Sequence, residues 1–329
     1  MKGAEKFKKQ ERFSVMIPTF EPSRSLLDAI QSVLKQFDEA SAHGNDLSKD
    51  SLQITVVDDA SSTVDVSSLL QASEVADHVE FIGSHQHLGL AGNWNRAISL
   101  ARGDLVHLLH QDDFVQPGFY HRMGHAFQKQ PNLGMAFCRT KIVDDEGHTI
   151  KKTSRLQWRR GVLNKWLNQI GERQRIQCPA AVVQKSTYQA IDGFRSDLVQ
   201  ALDWEMWVRI AGKFSVWYEP QTLAVYRRHK LNESSRLSAD GAVWPDIIRA
   251  IKINADSFPA EIRTDMVTRS AYWYAKSCLR TTKKQMRTKD YQLASKTLEQ
   301  FPTFLNLISC SKLKEKLHRR ASLLRKRML

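Results

Sequence analysis

The chain has 329 residues, of which 42% are hydrophobic, and this is enough for one large domain or two smaller ones with a buried core. No run of about 18 apolar residues occurs, which excludes a transmembrane helix. The net charge of +14 allows attraction to nucleic acid, anionic lipid or phosphate-bearing substrates but does not choose among them.

Cysteine spacing and the N-terminus indicate the compartment. Cys138, Cys178, Cys278 and Cys310 are far apart and form no C-x-x-C pair, which is typical of reduced, mostly buried cysteines in a cytosolic protein. Residues 1–13 are charged and lack the apolar stretch of a signal peptide. We therefore expect a cytoplasmic protein that is at most peripherally attached to the inner face of the cytoplasmic membrane.

The N-terminal third alternates strands with helices. Phe13–Ile17 is a short apolar strand, and Pro22 suits the first turn of a helix whose apolar residues recur at helical spacing from Leu26 to Phe37. Residues 40–51 are polar and predict a loop, and Gln53–Val57 predicts the second strand.

The alternation continues with a short strand at Val79–Ile82, a helix that Gly89 opens and that reaches Leu100, and a buried strand at Leu105–Leu109. Strands that alternate with helices are typical of a mostly parallel α/β sheet with right-handed crossovers. The sequence therefore predicts the α/β class, with helices flanking a central sheet.

Two acidic pairs follow strands of this sheet: Asp58-Asp59 after the second strand and Asp112-Asp113 after Leu105–Leu109. Ligands of open α/β sheets bind beyond the carboxyl ends of the strands. Adjacent carboxylates repel each other there unless a cation or hydrogen bonds offset the repulsion. Aspartate is also common in turns, so one pair alone would favour a turn, but two such pairs favour a metal-assisted site.

Glycine cradles for phosphate are missing. The first strand ends in Pro18-Thr19-Phe20, so neither the G-x-G-x-x-G of dinucleotide-binding folds nor a P-loop follows it. A phosphate-bearing ligand would therefore need a carboxylate-bound metal instead.

The second half of the chain mixes short strands and helices. The apolar pattern predicts separate strands at Met135–Cys138, Lys141–Val143, Cys178–Val183, Val216–Tyr218 and Leu223–Tyr226, and helices over residues 162–170 and 186–190.

Asp203 lies in the first turn of a further predicted helix, Leu202–Ile210. A carboxylate at that position is stabilised by the free N–H groups and dipole of the helix. Its alternative role is a general base that points into a cleft.

Taken together, these stretches resemble the family 2 glycosyltransferases, which have the GT-A fold. The resemblance covers about residues 13–230, so we expect a catalytic domain at 1–230 and a helical, basic extension at 231–329. The matching stretches are Val15–Thr19, Val56–Ser61, Gly92–Arg96, Leu109–Asp113, Ile191–Phe194, Leu202–Trp207 and Tyr226–His229.

The resemblance implies transfer of a sugar from a nucleotide-sugar donor, most often a UDP-sugar, to a hydroxyl of a glycan or lipid-linked acceptor with inversion at the anomeric carbon. Thr19 and Asp58 would line the nucleoside pocket, with Asp58 near the base and Asp59 on the ribose side. Pro18 and Asn93 lie in matching stretches and are included among the donor-binding residues.

The resemblance also implies a divalent metal, Mn²⁺ or Mg²⁺, on Asp112 and His229. Asp112 matches the last carboxylate of the D-x-D motif, whose first aspartate is His110 here, and His110 and Gln111 are included among the donor-binding residues. Arg227 would add positive charge at the diphosphate.

Asp203 matches the family's catalytic base, and Leu202 stands where an acidic residue is common. The departures at His110 and Leu202 leave a catalytically degenerate domain that binds a nucleotide-sugar or a partner as an alternative. A nucleotidyltransferase would need a glycine-rich basic loop after the first strand, which is missing.

The C-terminal hundred residues are predicted to form helices. Lys312–Leu329 carries eight Lys or Arg and one Glu, interleaved with leucines. It is either a solvated helix that packs its leucines on the protein or an amphipathic helix on an anionic membrane surface, close to a lipid-linked acceptor. No nucleic-acid motif occurs, so a nucleic-acid partner is not expected. The family and the basic C-terminus together suggest bacterial polysaccharide or lipopolysaccharide synthesis.

Overall fold

The computed structural model describes residues 12–42, 51–130, 132–228 and 242–326. In these ranges the chain forms one sheet and flanking helices. The strands are β1 Phe13–Thr19, β2 Leu52–Asp58, β3 Glu80–Ile82, β4 Leu105–Leu108, β5 Phe114–Val115, β6 Leu133–Val143, β7 Thr149–Lys152, β8 Gly161–Val162, β9 Ala181–Gln184 and β10 Ser215–Arg227. The helices are α1 Ser25–Ala42, α2 Val66–Gln71, α3 Gly89–Leu100, α4 Phe119–Lys129, α5 Trp166–Glu172, α6 Lys185–Ile191, α7 Leu202–Lys213, α8 Val243–Asn254, α9 Ala260–Arg287, α10 Tyr291–Glu299, α11 Phe301–Leu307 and α12 Ser311–Lys326.

The strand order is β3-β2-β1-β4-β9-β6-β10-β5, with β7 beside β6 and β8 beside β10. Parallel pairing joins β3, β2, β1 and β4, and also joins β6 to β10. β9 runs antiparallel to both β4 and β6. The predicted α/β class is therefore confirmed, with a mixed sheet whose N-terminal half is parallel.

β1 lies in the middle of this parallel half, and all seven of its residues are buried. The apolar stripe of α1, including Leu26, Ile30 and Phe37, belongs to the same hydrophobic core, as its helical spacing predicts. Burial of each such side chain contributes about 1.5–3 kcal/mol to the stability of the fold. The core therefore fixes the positions at which β1, β2 and β4 end.

Two pairs of predicted strands are in fact single strands, so the sequence interpretation was wrong there. β6 runs without a break through Arg139 and Thr140, because Arg139 Nε donates to the Thr153 carbonyl oxygen (3.0 Å) and Thr153 pairs with Thr140. β10 continues through Pro220, where the pairing register with β6 shifts between Glu219 and Thr222. A bulge of this kind lets a proline stay in a strand.

Three boundaries also differ from the prediction. Gly161 and Val162 pair with Tyr218 and Trp217 as a short strand, so the helix expected from residue 162 begins only at Trp166. Cys178–Ala180 is a 3₁₀ turn that precedes β9. α1 reaches Ala42, so the first residues of the expected loop at 40–51 are helical.

Contacts divide the chain into two compact units. The strand unit comprises Met1–Leu163, Ile176–Phe194 and Phe214–Arg227, and the helix unit comprises Asn164–Arg175, Arg195–Lys213 and Arg228–Leu329. In the helix unit the 28-residue α9 packs against α5, α8, α10, α11 and α12. None of the helices in the described ranges is long and apolar enough to cross a bilayer.

The described ranges include all four cysteines, and each is a free thiol. Cys138, Cys178 and Cys278 are buried and Cys310 is exposed, as their spacing predicts.

Candidate active site

Asp58 ends β2 and is held by groups from two strand ends. Register pairs it with Thr19 of β1, and Thr19 Oγ1 donates to Asp58 Oδ1 (3.1 Å). Ser61 donates to the same carboxylate through its hydroxyl (2.6 Å) and its backbone N–H (2.9 Å). The carboxylate of this 5%-exposed aspartate is thus fixed at the carboxyl edge of the sheet.

Asp59, the next residue, connects β2 to α3. Its carboxylate accepts hydrogen bonds from the backbone N–H groups of Leu88 (2.7 Å) and Gly89 (2.9 Å), where α3 begins. His87 Nδ1 lies 3.0 Å from the same group. Because a helix start leaves N–H groups unpaired and partly positive, the buried Asp59 serves as the N-terminal cap of α3.

The loop after β1 is tied to the loop after β2. The Glu21 carboxylate accepts hydrogen bonds from Ser62 and Thr63, through both backbone and hydroxyl groups. The Thr63 hydroxyl is the largest cause that lowers the pKa of Glu21 to about 2. The ring of Phe20, 46% exposed, lies 4.4 Å from the ring of His87. An exposed aromatic pair therefore stands beside Asp58 and Asp59.

Gln111 connects the loop after β1 with the loop after β4. Its Oε1 accepts a hydrogen bond from the Phe20 N–H (2.9 Å), and its Nε2 donates to the Phe20 carbonyl oxygen (3.2 Å). Since both ends of the amide bond the Phe20 backbone, Gln111 positions the loop that carries the exposed ring.

Asn93 of α3 lies under the same strand ends. Its Nδ2 donates to the carbonyl oxygen of Val57 (2.9 Å), and Pro18 is the register partner of Val57 in β1. The structure thus brings Pro18, Thr19, Asp58, Asp59 and Asn93 together where β1 and β2 end.

The end of β4 carries the second acidic pair. Asp113 is completely buried, and its Oδ1 accepts a hydrogen bond from the Arg227 backbone N–H (2.9 Å). Its Oδ2 accepts no hydrogen bond from described residues and lies 3.2 Å from His110 Nδ1. His110 packs on the ring of Trp94 at 4.9 Å, and Asp112 is partly exposed.

Charge crowding shows in the pKa values of this cluster. Burial and the neighbouring Asp112 raise the pKa of Asp113 to about 6. Burial opposes the charged form of His110, but Cys178 and Asp113 outweigh it, so the pKa of His110 is raised. The imidazolium of His110 therefore serves as a counter-ion for Asp113 near neutral pH.

These side chains fit a divalent cation. His110, Asp112 and Asp113 each offer a ligand atom, and these atoms lie within 4.8 Å of one another. Two carboxylates suit Mn²⁺ and Mg²⁺, and one imidazole favours Mn²⁺ slightly. A cation would also relieve the repulsion that raises the pKa of Asp113.

Arg227, a further predicted residue, is the last residue of β10. The Arg227 guanidinium lies 3.5 Å from the Asp28 carboxylate and 5.7 Å from the centre of the Phe114 ring. Arg227 thus stands beside the second acidic pair through its backbone bond to Asp113. His229 lies outside the described residues.

Asp203 belongs to the helix unit, on the first turn of α7. Its Oδ1 accepts a hydrogen bond from the Trp204 N–H (2.6 Å). Asp246 of α8 accepts backbone hydrogen bonds from Val199, Gln200 and Ala201 at 2.8–3.1 Å, just before α7 begins. The buried Asp246 therefore fixes the segment that carries Asp203.

Sequence reasoning missed several of these residues. Phe20 and His87 lie 67 positions apart and meet only because β1 and β2 end side by side, so no local pattern could find them. Asp246 reaches back to residues 199–201 from another helix. Cys178 contacts His110 because β9 lies beside β4, which the strand pattern left undetermined.

Comparison with known proteins identifies the class to which this arrangement belongs. The model of the glycosyl transferase family 2 matches residues 14–188, more than half of the chain. The chain is therefore a member of glycosyl transferase family 2, and it is a glycosyltransferase.

Curated relatives are distant. An uncharacterized protein of Mycobacterium tuberculosis, MT1568, is 27% identical over 69% of this chain and 70% of its own length. An uncharacterized glycosyltransferase of Methanocaldococcus jannaschii, MJ1057, is 20% identical over 65% of this chain and 70% of its own length. Escherichia coli chondroitin synthase is 28% identical over 42% of this chain and 18% of its own length.

Solved structures share the fold across nearly the whole chain. Staphylococcus aureus TarS 1–349 in complex with UDP-GlcNAc has a TM-score of 0.64 and 14% identity, covering 94% of this chain and 87% of TarS 1–349. The Pyrobaculum calidifontis mannosyltransferase PcManGT, in complex with GDP-Man and Mn²⁺, has a TM-score of 0.55 and 13% identity, covering 97% of this chain and 84% of its own. These likenesses confirm the GT-A fold.

Proposed function

We propose that this glycosyltransferase moves a sugar from a UDP-sugar to an acceptor hydroxyl, with inversion at the anomeric carbon and with Mn²⁺ or Mg²⁺ at Asp112 and His229. The observation that carries the proposal is the His110, Asp112 and Asp113 cluster at the end of β4, next to the fixed carboxylates at the end of β2. The UDP-GlcNAc of the TarS complex and the GDP-Man and Mn²⁺ of the PcManGT complex support it.

Thr19, Asp58 and the exposed Phe20 ring form the proposed nucleoside pocket. Asp58 accepts hydrogen bonds, so its carboxylate suits the N–H of a uracil or guanine base, and an aromatic face suits stacking on the base. Asp59 and Asn93 support this edge through α3, and Gln111 holds Phe20 in place.

Asp112 and Asp113, with His110 beside them, face the proposed diphosphate. When bound, the cation supplies Lewis-acid stabilisation of the charge that grows on the leaving diphosphate. We also assign the Arg227 guanidinium to the diphosphate, which requires it to leave the Asp28 carboxylate, 3.5 Å away in this structure. Asp113 holds the cluster in place through the Arg227 backbone.

Asp203 is the proposed general base. As a carboxylate it would accept the proton of the acceptor hydroxyl while the hydroxyl oxygen attacks the anomeric carbon and the diphosphate leaves from the opposite side. The acceptor we propose is a glycan or a lipid-linked glycan in bacterial polysaccharide or lipopolysaccharide synthesis. The similarity to Escherichia coli chondroitin synthase supports a role in polysaccharide synthesis.

Thermal stability with a panel of nucleoside diphosphates, with and without Mn²⁺, tests the donor site. We expect UDP to raise the melting temperature only with Mn²⁺, by a stabilisation of about 2.7 kcal/mol at a hundredfold excess over the dissociation constant. The Asp112→Asn variant should lose this gain. No shift with any nucleotide would overturn the proposal.

One observation favours a second candidate, a domain that binds a nucleotide-sugar without turnover. His110 stands where the family has an aspartate, and its pairing with Asp113 occupies a carboxylate that a metal would use. Release of UDP from UDP-sugars in the presence of acceptor lipid extracts separates the two. Turnover that Asp203→Asn abolishes supports the enzyme, whereas nucleotide binding without turnover in the unaltered protein supports the binding domain.

A further inference from the structure

A basic segment of the strand unit lies outside the proposed donor site. Residues 150–160, here called the basic loop, contain Lys151, Lys152, Arg155, Arg159 and Arg160, and residues 149–171 contain no Asp or Glu. All five cations are exposed, and within the described residues none of them forms an ion pair. The basic loop therefore presents five cations without ion pairs to solvent, next in the chain to the acidic turn of Asp144, Asp145 and Glu146.

The basic loop is firmly attached to the sheet. Lys151 and Lys152 lie in β7, which pairs with β6, and Thr153 continues this pairing with Thr140. Further along, the Leu156 N–H donates to the Tyr218 hydroxyl (3.2 Å), and Gly161 pairs with β10. The basic loop is thus fixed to the sheet rather than being a free tail, and in β7 the side chain of Lys151 lies on the face opposite those of Ile150 and Lys152.

The positive surface extends onto α4. Partial burial is the first cause that lowers the pKa of His125, and the positive charges of Arg160, Lys129, His121 and Arg122 lower it further. Arg160, at the end of the basic loop, is thus one of the cations that act electrostatically on α4.

Two large apolar side chains of the basic loop are exposed. Trp158 is 82% exposed, the highest value among the large apolar side chains described, and Ile150 is 49% exposed. The guanidinium of Arg155 lies over the Trp158 ring at 4.3 Å. A soluble polyanion would use the cations alone, whereas tryptophan, isoleucine and cations together match the headgroup region of a bilayer.

α12, the other basic element, lacks this combination. Its Leu317 and Ala321 are buried against the helix unit, and Leu323 is its one large exposed apolar side chain among the residues described. Its leucines therefore pack on the protein, and its outward face offers mainly charge. This favours the basic loop over α12 as a membrane contact.

We propose that the basic loop docks the protein on an anionic phospholipid surface, with Trp158 and Ile150 entering the headgroup region and cations of the loop binding lipid phosphates. This contact goes beyond the proposed sugar transfer and does not depend on it. It is reversible and peripheral, since two apolar side chains supply too little burial for stable insertion.

Sedimentation of the full chain with vesicles tests the proposal. We compare vesicles of phosphatidylcholine with vesicles that also contain phosphatidylglycerol. The loop variant changes Lys151, Lys152, Arg159 and Arg160 to Gln, and a matched control changes four exposed cations of α12, Lys312, Lys316, Arg320 and Arg325, to Gln. Both variants remove the same charge, and circular dichroism checks that both are folded.

We expect binding only to the phosphatidylglycerol vesicles. The loop variant should bind at least about tenfold more weakly and Trp158→Ala about threefold more weakly, with the control within about twofold of the unaltered protein. No binding to phosphatidylglycerol vesicles, or equal losses in the loop variant and the control, would overturn the proposal. Soluble polyphosphate binding that depends on the loop while Trp158→Ala changes nothing would assign the loop to an anionic polymer instead.

A second readout does not depend on charge removal. Brominated lipids quench tryptophan fluorescence only on contact, so we expect quenching in the unaltered protein to disappear largely in Trp158→Phe. Equal quenching in both proteins would place the membrane contact elsewhere.

Discussion

The two acidic pairs look alike in sequence but differ in what surrounds them. Both follow a buried strand at the same edge of the sheet. Asp58 and Asp59 accept hydrogen bonds from Thr19, Ser61, Leu88 and Gly89. At the second pair, Asp113 Oδ2 accepts no hydrogen bond from described residues and lies beside His110.

Two adjacent carboxylates at the edge of an α/β sheet can therefore be stabilised in two different ways. The first pair is stabilised by hydrogen bonds from N–H and O–H donors of the chain, and these bonds hold the loops of the pocket in place. In the second pair, burial and the repulsion from Asp112 raise the pKa of Asp113 to about 6, and such a pair gains most from a cation.

The largest effect is expected for Asp112→Asn. If the second pair holds the cation of the reaction, release of UDP from the donor should fall at least about a thousandfold, because stabilisation of the leaving diphosphate is lost. The melting temperature without metal should hardly change, since Asp112 is partly exposed. If the variant keeps more than about a tenth of the activity, the claim that the second pair binds the cation of the reaction is wrong.

Asp59→Ala should act on stability instead. It removes the cap of α3 and two backbone hydrogen bonds to a buried carboxylate, so the free energy of unfolding in urea should fall by about 2 kcal/mol. Asp65→Ala is the control, because Asp65 is the exposed N-cap residue of α2 and accepts one backbone hydrogen bond, from Ser68. A loss no larger than that of Asp65→Ala would contradict the role given to Asp59.

His110→Asp sharpens the contrast by placing a third carboxylate in the cluster. Without metal, Asp113 loses its counter-ion and gains a like charge, so the free energy of unfolding should fall by about 1–3 kcal/mol. Mn²⁺ should restore more stability than in the unaltered protein. His110→Asn is the control, since it removes the counter-ion without adding charge, and an equal response of both variants to Mn²⁺ would refute this reasoning.

The pH dependence of Mn²⁺ stabilisation is the smallest effect. The pKa of Asp113 is raised to about 6 and that of His110 is raised too, so protons compete with the cation at low pH. The gain in melting temperature with Mn²⁺ should therefore be small at pH 5 and grow as the pH rises through about 6. Asp113→Asn should flatten this rise, and an unchanged slope in that variant would count against it.

Much of the strand unit could be predicted from the sequence, because its early strands are short apolar runs and its first helix has a regular apolar stripe. β1, β2, β4, α1 and α3 lie where the pattern predicts them. The family resemblance and the fold are also confirmed.

The remainder depends on contacts between distant residues. β10 continues through Pro220 only because β6 pairs on both sides of the bulge, and no local signal encodes that. Asn95 holds the backbone N–H and carbonyl of Phe194, 99 positions away, and Asp246 holds residues 199–201. The predicted site residues and the domain boundary at residue 230 stay predictions.

Direct measurement of Mn²⁺ binding by electron paramagnetic resonance tests the central claim. This claim is that the second acidic pair binds a cation, whereas the first pair accepts hydrogen bonds that fix the loops of the chain. We predict that the unaltered protein and Asp59→Asn bind Mn²⁺ equally in the absence of nucleotide, at a temperature where both are folded. Asp112→Asn should leave the Mn²⁺ signal that of the free ion. Equal Mn²⁺ binding by Asp112→Asn and the unaltered protein would contradict the claim.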